Sequence, residues 1–547
     1  MDAAGFLRAF PGVPAPKRDW LYPIVLVIWG ALLWLPGLGS RDLWAPAEPI
    51  HGEVVRVMFA QHEWVIPTVN GDLYSDKPIL YFWLALLFSK IAGGVNEWTV
   101  RLPAALGAIG LVLTTFLLGR TFFDPVSGLL AGVILATTSR LLWDGSFARL
   151  DTLHGFFVVL GFYFCLKAFL NRGARSNYLF GYLCFGFAVL TKGLIGIVLP
   201  GLTFLLMIAL MRRWREIKEM RIFSGAAVVA LAVFPWLWLL HLRGADRWLR
   251  EFILVHHVQN YALRPLGHVR PFYFYFLTLP IDFLPWTIFV PGALLYYYPW
   301  RPRLRDPAVL ALLCWFGVVL TFFTLSQSKI AYYLIPLLPA LALLIGNYVS
   351  DLTQSQRDAA HERCTLGAAF IMTGLLFAAG VATPIAARLI DKSLLVVLLP
   401  LALWQIVGAA VLFRLLKRHE VGPFVWALSF QIATTFVCVS VFIFPYLNKY
   451  NSPRPVAELI RKIVPPAEPV YVFRRTMNDF NFYSVRDVMP ILSTVAEVEK
   501  LLSRRSNAYL LVSNEDRKDP WFKDKGRVVT ENKVGERKWS LVRLSAR

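Results

Sequence analysis

Apolar runs of about twenty residues recur in this chain from residue 21 to residue 446, and no other feature restricts its fold as severely. A backbone that enters hydrocarbon must satisfy its amides internally, so runs of this length and number prescribe a bundle of membrane-spanning helices. Of the 547 residues, 57% are hydrophobic and only 17% charged. The first run follows Arg8, Lys17 and Arg18, but it is too long and aromatic for a secretory signal, and no small-residue cleavage site follows. It reads as a retained helix.

A formal charge of +21 would suit a nucleic-acid binder if the basic residues lined one soluble face, yet they fall in short clusters between apolar runs. Topology accounts for them. Spans are expected at 21–38, 101–121, 125–143, 152–171, 177–191, 193–211, 223–243, 272–296, 307–325, 330–349, 366–386, 393–415 and 422–446. With a cytoplasmic N-terminus, the alternate loops that become cytoplasmic carry Arg172 and Arg175, the run "MRRWREIKEMR", Arg301, Arg303 and Arg305, and then Lys417 and Arg418. That distribution obeys the positive-inside rule.

The same threading keeps "PILYFWLALLFSKIAGG", residues 78–94, from crossing, because one more span would invert every later loop. It is expected as a juxtamembrane helix with Tyr81, Phe82 and Trp83 at headgroup level. Between 177–191 and 193–211 there is room only for a tight break, so two short spans and one broken helix both fit.

The outer side then receives the loops 39–100, 143–152 and 244–271 and everything after residue 446. In that tail "EPVYVFRR" and "NAYLLVS" alternate with "TVAEVEKLLSRR", the pattern of a soluble α/β domain over 447–547 beside a membrane domain over 1–446. The cysteines Cys165, Cys184, Cys314, Cys364 and Cys438 lie in or beside apolar runs without a CxxC pairing, which indicates neither a disulfide framework nor a structural zinc site.

Ionisable residues gather near the outer boundary: Glu48, His51 and Glu53 in "DLWAPAEPIHGEVVRVM", Asp72, Tyr74, Asp76 and Lys77 in "NGDLYSDKP", and Asp144, Arg149 and Asp151 in "WDGSFARLD". Such groups at membrane depth are costly unless they pair or line a wet cavity. They point to a site at the bilayer surface, where a carboxylate serves as base and Lys or Arg binds an anion. Plainer readings exist: solvated loop residues for Asp72 and Glu53, a helix cap for Asp151, and snorkelling for Lys77 and Lys329.

The loop "HHVQNYALRPLGHVRPFYFYF" supplies His256, His257 and His268, whose spacing matches no usual zinc pattern; His256 and His257 stand as weak candidate metal ligands. Arg264 and Arg270 suit phosphate, to which guanidinium offers a planar fork. With no Gly-rich nucleotide loop, a lipid-linked phosphate donor fits better than a nucleotide sugar.

In order and spacing, "DLWAPAEPIHGEVVRVM", "GDLYSDKPILYFW", "VNEWTVRLPAALGA", "FARLDTL", "LTKGLIG", "GHVRPFYFY", "FLPW", "SQSKIAYYLIPLLPALALLIG" and "SPRPVAELI" resemble the polyprenyl-phosphate-dependent glycosyltransferases of the GT-C superfamily. The resemblance covers about residues 40 to 490 and extends especially to the bacterial 4-amino-4-deoxy-L-arabinose transferases of lipid A, related to the protein O-mannosyltransferases. It implies a polytopic α-helical GT-C fold of about 13 transmembrane helices with a C-terminal α/β periplasmic domain. The implied activity is transfer of a sugar, aminoarabinose among the candidates, from undecaprenyl phosphate to lipid A or another envelope acceptor at the periplasmic face of the inner membrane.

By position, the resemblance implies that Lys77 and Tyr74 engage the carrier phosphate or the reacting headgroup, that Asp151 is the acidic residue heading the fourth span, and that Lys329 and Tyr333 face the carrier. With the residue chemistry above, the expected set is Asp151, Glu48 and Lys77 as catalytic and Tyr74, Lys77, Arg270, Lys329, Tyr333 and His268 as binders of substrate or carrier phosphate. The expected partners are the lipid-linked donor, the acceptor and membrane lipids, with no nucleic acid and no certain cofactor; a divalent metal is left open. The chain departs from the family at Pro46-Ala47-Glu48 and Ile50-His51, where Pro-Asp-Glu and Arg-Tyr are usual. Glu48 or Asp151 as replacement carboxylate, a phosphate acceptor that needs no base, and a different substrate each account for the loss at 47, and His51 is a further replacement. Competing readings are a protein or polysaccharide acceptor, a lipid transporter, and an inactive scaffold. Apart from Lys192, the mid-span positions are mostly apolar, which disfavours transport.

Overall fold

The computed structural model describes residues 19–254, 269–297, 306–354, 359–474, 480–522, 526–534 and 537–545. Among these, eight helices are long and apolar enough to cross a membrane: Glu97–Phe122, Asp151–Phe169, Glu216–Leu242, Pro307–Leu325, Ala331–Thr353, Glu362–Leu389, Lys392–Lys417 and Val421–Tyr446. Two bent pairs raise the number to ten if each is one span: Pro125–Ala136 with Ser139–Gly145, bent by 65°, and Phe274–Asp282 with Trp286–Tyr296, bent by 106°. The two bends are bonded to each other. Ser139 N donates to Leu284 O at 2.9 Å, and Arg140 donates to Asp282 Oδ1 at 3.0 and 2.5 Å.

Three shorter apolar helices, Leu21–Trp34, Asn177–Lys192 and Ile195–Met211, complete the bundle, whose core runs from Leu26 through Phe162 and Trp315 to Phe436. The last two lie at 177–211, where a tight break was expected. They are separate helices, broken at Gly193, whose φ of 101° lies in the left-handed region that glycine alone adopts freely. Lys192 is thereby the last residue of its helix.

The 39–100 segment is more ordered than a loop. The stretch around Glu48, expected as irregular, is a helix from Ala47 to Ala60. Pro46 and Pro49 obscure it in the sequence, yet proline in or before the first turn forfeits no intrahelical hydrogen bond. After it, β1 (Thr68–Val69) and β2 (Asp72–Leu73) pair antiparallel across Asn70 and Gly71, both at positive φ. The next helix, Leu80–Ile91, has 12 residues and spans about 18 Å, too short to cross a bilayer. It buries Tyr81, Phe82, Ala85 and Leu86 against the Ala47–Ala60 helix and the Glu97–Phe122 helix.

Beyond residue 446 the chain forms a five-stranded mixed sheet of β3 (Val470–Phe473), β4 (Ile491–Leu492), β5 (Asn507–Ser513), β6 (Gly526–Val534) and β7 (Arg537–Ser545), in the order β4-β3-β5-β7-β6. Strand β3 pairs parallel with β4 and β5; β7 pairs antiparallel with β5 and β6. One core cluster, built on Val456, Ile460, Val472, Leu511 and Trp539, also takes in Leu43 from the 39–100 segment.

Polar bonds reinforce that join. Arg454 pairs with Asp42 at 2.9 Å and with Glu97, Tyr483 Oη donates to Glu97 at 2.9 Å, and Leu43 N donates to Tyr483 Oη at 2.7 Å. At the hairpin, Asn70 Oδ1 accepts from Met489 N at 2.6 Å and Nδ2 donates to Met489 O at 3.2 Å. The double variant Arg454→Ala, Tyr483→Phe removes the bonds to Glu97 and should weaken docking by about 1–2 kcal/mol. Limited proteolysis is expected to release the tail severalfold faster with circular dichroism unchanged; native protease resistance would refute the clamp.

Candidate active site

The centre of the region is a buried carboxylate. Glu48, in the first turn of the Ala47–Ala60 helix, is 1% exposed and lies between the guanidiniums of Arg41 and Arg101. Its Oε1 accepts from Arg101 Nε at 2.7 Å and Ala148 N at 2.8 Å; its Oε2 accepts from Arg41 Nη1 at 2.5 Å, Arg101 Nη2 at 2.9 Å and Trp44 N at 3.1 Å. Burial alone would raise this carboxyl, but the two guanidiniums hold it well below the usual range. Arg101 also donates to the carbonyls of Leu38, Arg41 and Asp42, and Arg41 lies over the Phe147 ring at 3.8 Å.

Glu48, expected as a catalytic residue, thus has both oxygens engaged by the protein itself, each by guanidinium and by a backbone amide. It is the knot that ties the Ala47–Ala60 helix, the 39–46 segment, the 146–148 turn and the Glu97–Phe122 helix together.

Around this knot lie the groups that remain open to chemistry. His51 Nδ1 donates to Ala148 O at 2.7 Å, its ring packs among Tyr74, Tyr81 and Phe82, and burial lowers its pKa from the ordinary value, so it is held as a neutral imidazole. Tyr74 is buried below it, and burial followed by Asp76 raises its phenol well above the usual range. Lys77 is half-buried, with Nζ on Asp76 Oδ2 at 2.7 Å. Asp76, Lys77 and Asp151 all act electrostatically on His51.

Asp151 begins its helix and is ion-paired with Lys192, whose ammonium also lies 4.5 Å from the Tyr333 ring and 5.6 Å from that of Tyr332. Beside this pair, Arg149 Nη1 donates to the buried Asp144 at 2.8 Å and its guanidinium lies 4.9 Å from the Tyr332 ring. Lys329, buried at the turn before Ala331, donates to Ser326 O and, at 3.3 Å, to the carbonyl of Arg270. Arg270 itself is exposed.

The structure therefore brings Tyr74, Lys77, Asp151 and Tyr333 into one neighbourhood and sets Lys329 next to Arg270. His268, His256, His257 and Arg264 lie outside the described residues. Among the described residues, no group of three or more His, Cys, Asp or Glu side chains is arranged to hold a metal ion.

Sequence reasoning missed Arg41, Arg101 and the partner role of Lys192. The available signal was a charged residue inside an apolar run, which demands a partner. Arg101 opens one such run and Lys192 closes another.

The described residues thus form a polytopic helical bundle with a cluster of paired charges where residues 39–100 meet it. Residues 76–239, which contain Lys77, Asp151 and Lys192, match the family of dolichyl-phosphate-mannose-protein mannosyltransferases. The chain resembles undecaprenyl phosphate-alpha-4-amino-4-deoxy-L-arabinose arabinosyl transferases: 32% identity over 338 residues with that of Pseudomonas aeruginosa strain UCBPP-PA14, covering 60% of each chain. With that of Serratia proteamaculans it shares 29% identity over 350 residues, 63% of this chain and 61% of the relative. The matched region thus spans about 60% of the length of these curated relatives.

Among solved structures, ArnT from Cupriavidus metallidurans bound to undecaprenyl phosphate superposes with a TM-score of 0.78 at 21% identity, covering 96% of this chain and 98% of that one. The archaeal oligosaccharyltransferase AglB from Archaeoglobus fulgidus gives a TM-score of 0.56 at 13% identity, over 91% of this chain and 69% of the other.

Two substitutions separate knot from open site. Glu48→Gln leaves two buried guanidiniums short of charge and should cost about 3–5 kcal/mol. It is expected to abolish recovery of monodisperse protein in detergent, whereas Asp151→Asn, which neutralises one partner of a single ion pair and leaves Lys192 an amide oxygen to donate to, should still elute as one species with a lowered unfolding temperature; equal behaviour of the two would contradict the assignment.

Proposed function

We propose that this chain is an integral inner-membrane glycosyltransferase that moves a sugar from a polyprenyl phosphate to an envelope acceptor, with lipid A as acceptor and aminoarabinose as sugar. The observation that carries the reading is the convergence of Lys77, Asp151, Lys192 and Tyr333 inside a fold shared over 96% of the chain with a structure bound to undecaprenyl phosphate. The identity with arabinosyl transferases supports the choice of sugar.

The topology that fits is thirteen crossings: the eight long helices, the two bent pairs and the three shorter helices. It starts from a cytoplasmic N-terminus and places the site and residues 447–547, read as a separate domain, in the periplasm. The basic loops at Arg172, Arg212 and Lys417 support that orientation.

In the reaction, an acceptor oxygen forms a bond to the anomeric carbon while the bond from that carbon to the carrier phosphate oxygen breaks. The electron pair leaves on the phosphate. Lys77, Lys329 and Arg270 supply positive charge where it collects, with Tyr74 as a hydroxyl donor. His268 is assigned to the same phosphate-binding set. Asp151, oriented by Lys192 over the Tyr333 ring, is the carboxylate facing the anomeric centre, and Glu48 acts only by positioning.

That assignment bears on the absent carboxylate at Ala47. Glu48 cannot stand in for it, since its oxygens are saturated. Asp151 and the neutral His51 remain. An acceptor phosphate, already ionised, needs neither as a strong base, and this favours a lipid A phosphate over a sugar or protein hydroxyl. No metal is invoked. The match of residues 76–239 to protein mannosyltransferases favours one second reading, transfer to a protein hydroxyl, in which Asp151 would take the proton.

Mass spectrometry of lipid A from cells with and without the chain tests the reading. The native chain should add a pentosamine-sized increment, and Lys77→Ala or Asp151→Asn should reduce it by two orders of magnitude or more. A native chain that leaves lipid A unaltered but adds a hexose to periplasmic proteins would transfer the assignment to the second reading.

A further inference from the structure

Directly below the Asp151–Lys192 pair lies a side chain that neither the site nor the fold has used. His154 stands three residues after Asp151, on the same helical face, and is 1% exposed. Its Nδ1 lies 3.2 Å from the carbonyl of Ala188, four residues before Lys192 in the neighbouring helix. A carbonyl only accepts, so Nδ1 carries the proton and Nε2 is left as a lone-pair acceptor. Among the described residues that buried Nε2 has no hydrogen-bond partner. Both the Lys192 ammonium and the Asp151 carboxylate act electrostatically on the imidazole.

An unsatisfied acceptor inside a packed bundle is unfavourable unless some state of the protein uses it. The Lys192 ammonium has three donors, and one is taken by Asp151. If substrate draws the Asp151 carboxylate away, a buried ammonium loses its counter-charge, and His154, on which that ammonium already acts electrostatically, offers an uncommitted lone pair at Nε2. The Tyr333 ring, 4.5 Å away, keeps the ammonium in place while the hydrogen bond is exchanged.

We propose that His154 is a positioning residue for the Asp151–Lys192 pair, its free Nε2 accepting the Lys192 ammonium whenever Asp151 turns to substrate. The Ala188 bond fixes both the tautomer and the ring, so the lone pair is presented without reorganisation. The kinetic arm of the test rests on the glycosyltransferase reading; the pairing itself does not.

A double-mutant cycle in thermal unfolding of the purified full chain therefore comes first. Asparagine at 154 retains a donor for Ala188 but no acceptor at the Nε2 position, whereas glutamine can place an oxygen there. His154→Asn is expected to lower the unfolding temperature at least twice as far in an Asp151→Ala background as in the native one, and His154→Gln to restore most of the difference. Additive shifts, or equal losses for Asn and Gln, would overturn the proposal.

In the kinetic arm, sugar transfer from undecaprenyl-phosphate-linked aminoarabinose to lipid A should show kcat about tenfold lower for His154→Asn with KM unchanged, and within threefold of native for His154→Gln. Native kcat in His154→Asn would also overturn it. A native chain that transfers no sugar would refute the glycosyltransferase reading and leave the unfolding cycle to judge His154.

Discussion

The region where residues 39–100 meet the bundle is organised around one anion. Glu48 is held by two arginines from different segments and by two backbone amides, so four stretches of chain meet at a single carboxylate. Within hydrocarbon-like surroundings such an assembly is stable only when each member is present. Removing the carboxylate strands two guanidiniums, and removing either guanidinium leaves a carboxylate with fewer donors. The value of the arrangement lies in geometry more than in net stabilisation. It sets the start of the Ala47–Ala60 helix, which carries His51, against the turn that leads through Ala148 to Asp151.

A second layer of paired charges extends from this knot into the bundle. Arg149 with Asp144, Arg140 with Asp144 and Asp282, and Lys192 with Asp151 each neutralise one element against another. The chain of pairs reaches the bend at Asp282, so the two bent helix pairs and the site share one electrostatic scaffold. Lys77 and Lys329 differ from the rest of the set. Lys77 pairs with the neighbouring Asp76 in sequence, on a half-buried rim, and Lys329 donates to backbone carbonyls. These two cations therefore stand outside the chain of paired charges that links one element to another.

Much of this was legible in the sequence, because a bilayer permits few choices. Runs of about twenty apolar residues and the placement of basic loops are enforced by solvation and translocation, and both are local properties of the chain. The break at Gly193 and the short Leu80–Ile91 helix were readable for the same reason. The Ala47–Ala60 helix was not, since Pro46 and Pro49 carry the composition of a turn and its burial comes from contacts distant in sequence, including Phe482 against Gly52. Local propensity was overridden by packing.

Asp151, Lys77, Tyr74 and Tyr333 could be singled out individually, but what engages each of the two buried carboxylates, Glu48 and Asp151, could not. Glu48 and Asp151 are both acidic residues beside apolar runs; only their partners differ, and those partners lie tens of residues away at Arg101 and Lys192. Two arginines and two backbone amides leave a carboxylate committed, whereas one lysine over an aromatic ring leaves it available. The difference also gives the substitution at Ala47 a physical meaning. Under the proposed reading, a chain with alanine at 47 and an adjacent glutamate already engaged keeps Asp151 as the carboxylate left for the chemistry, and an acceptor that arrives already ionised is the one that asks least of it.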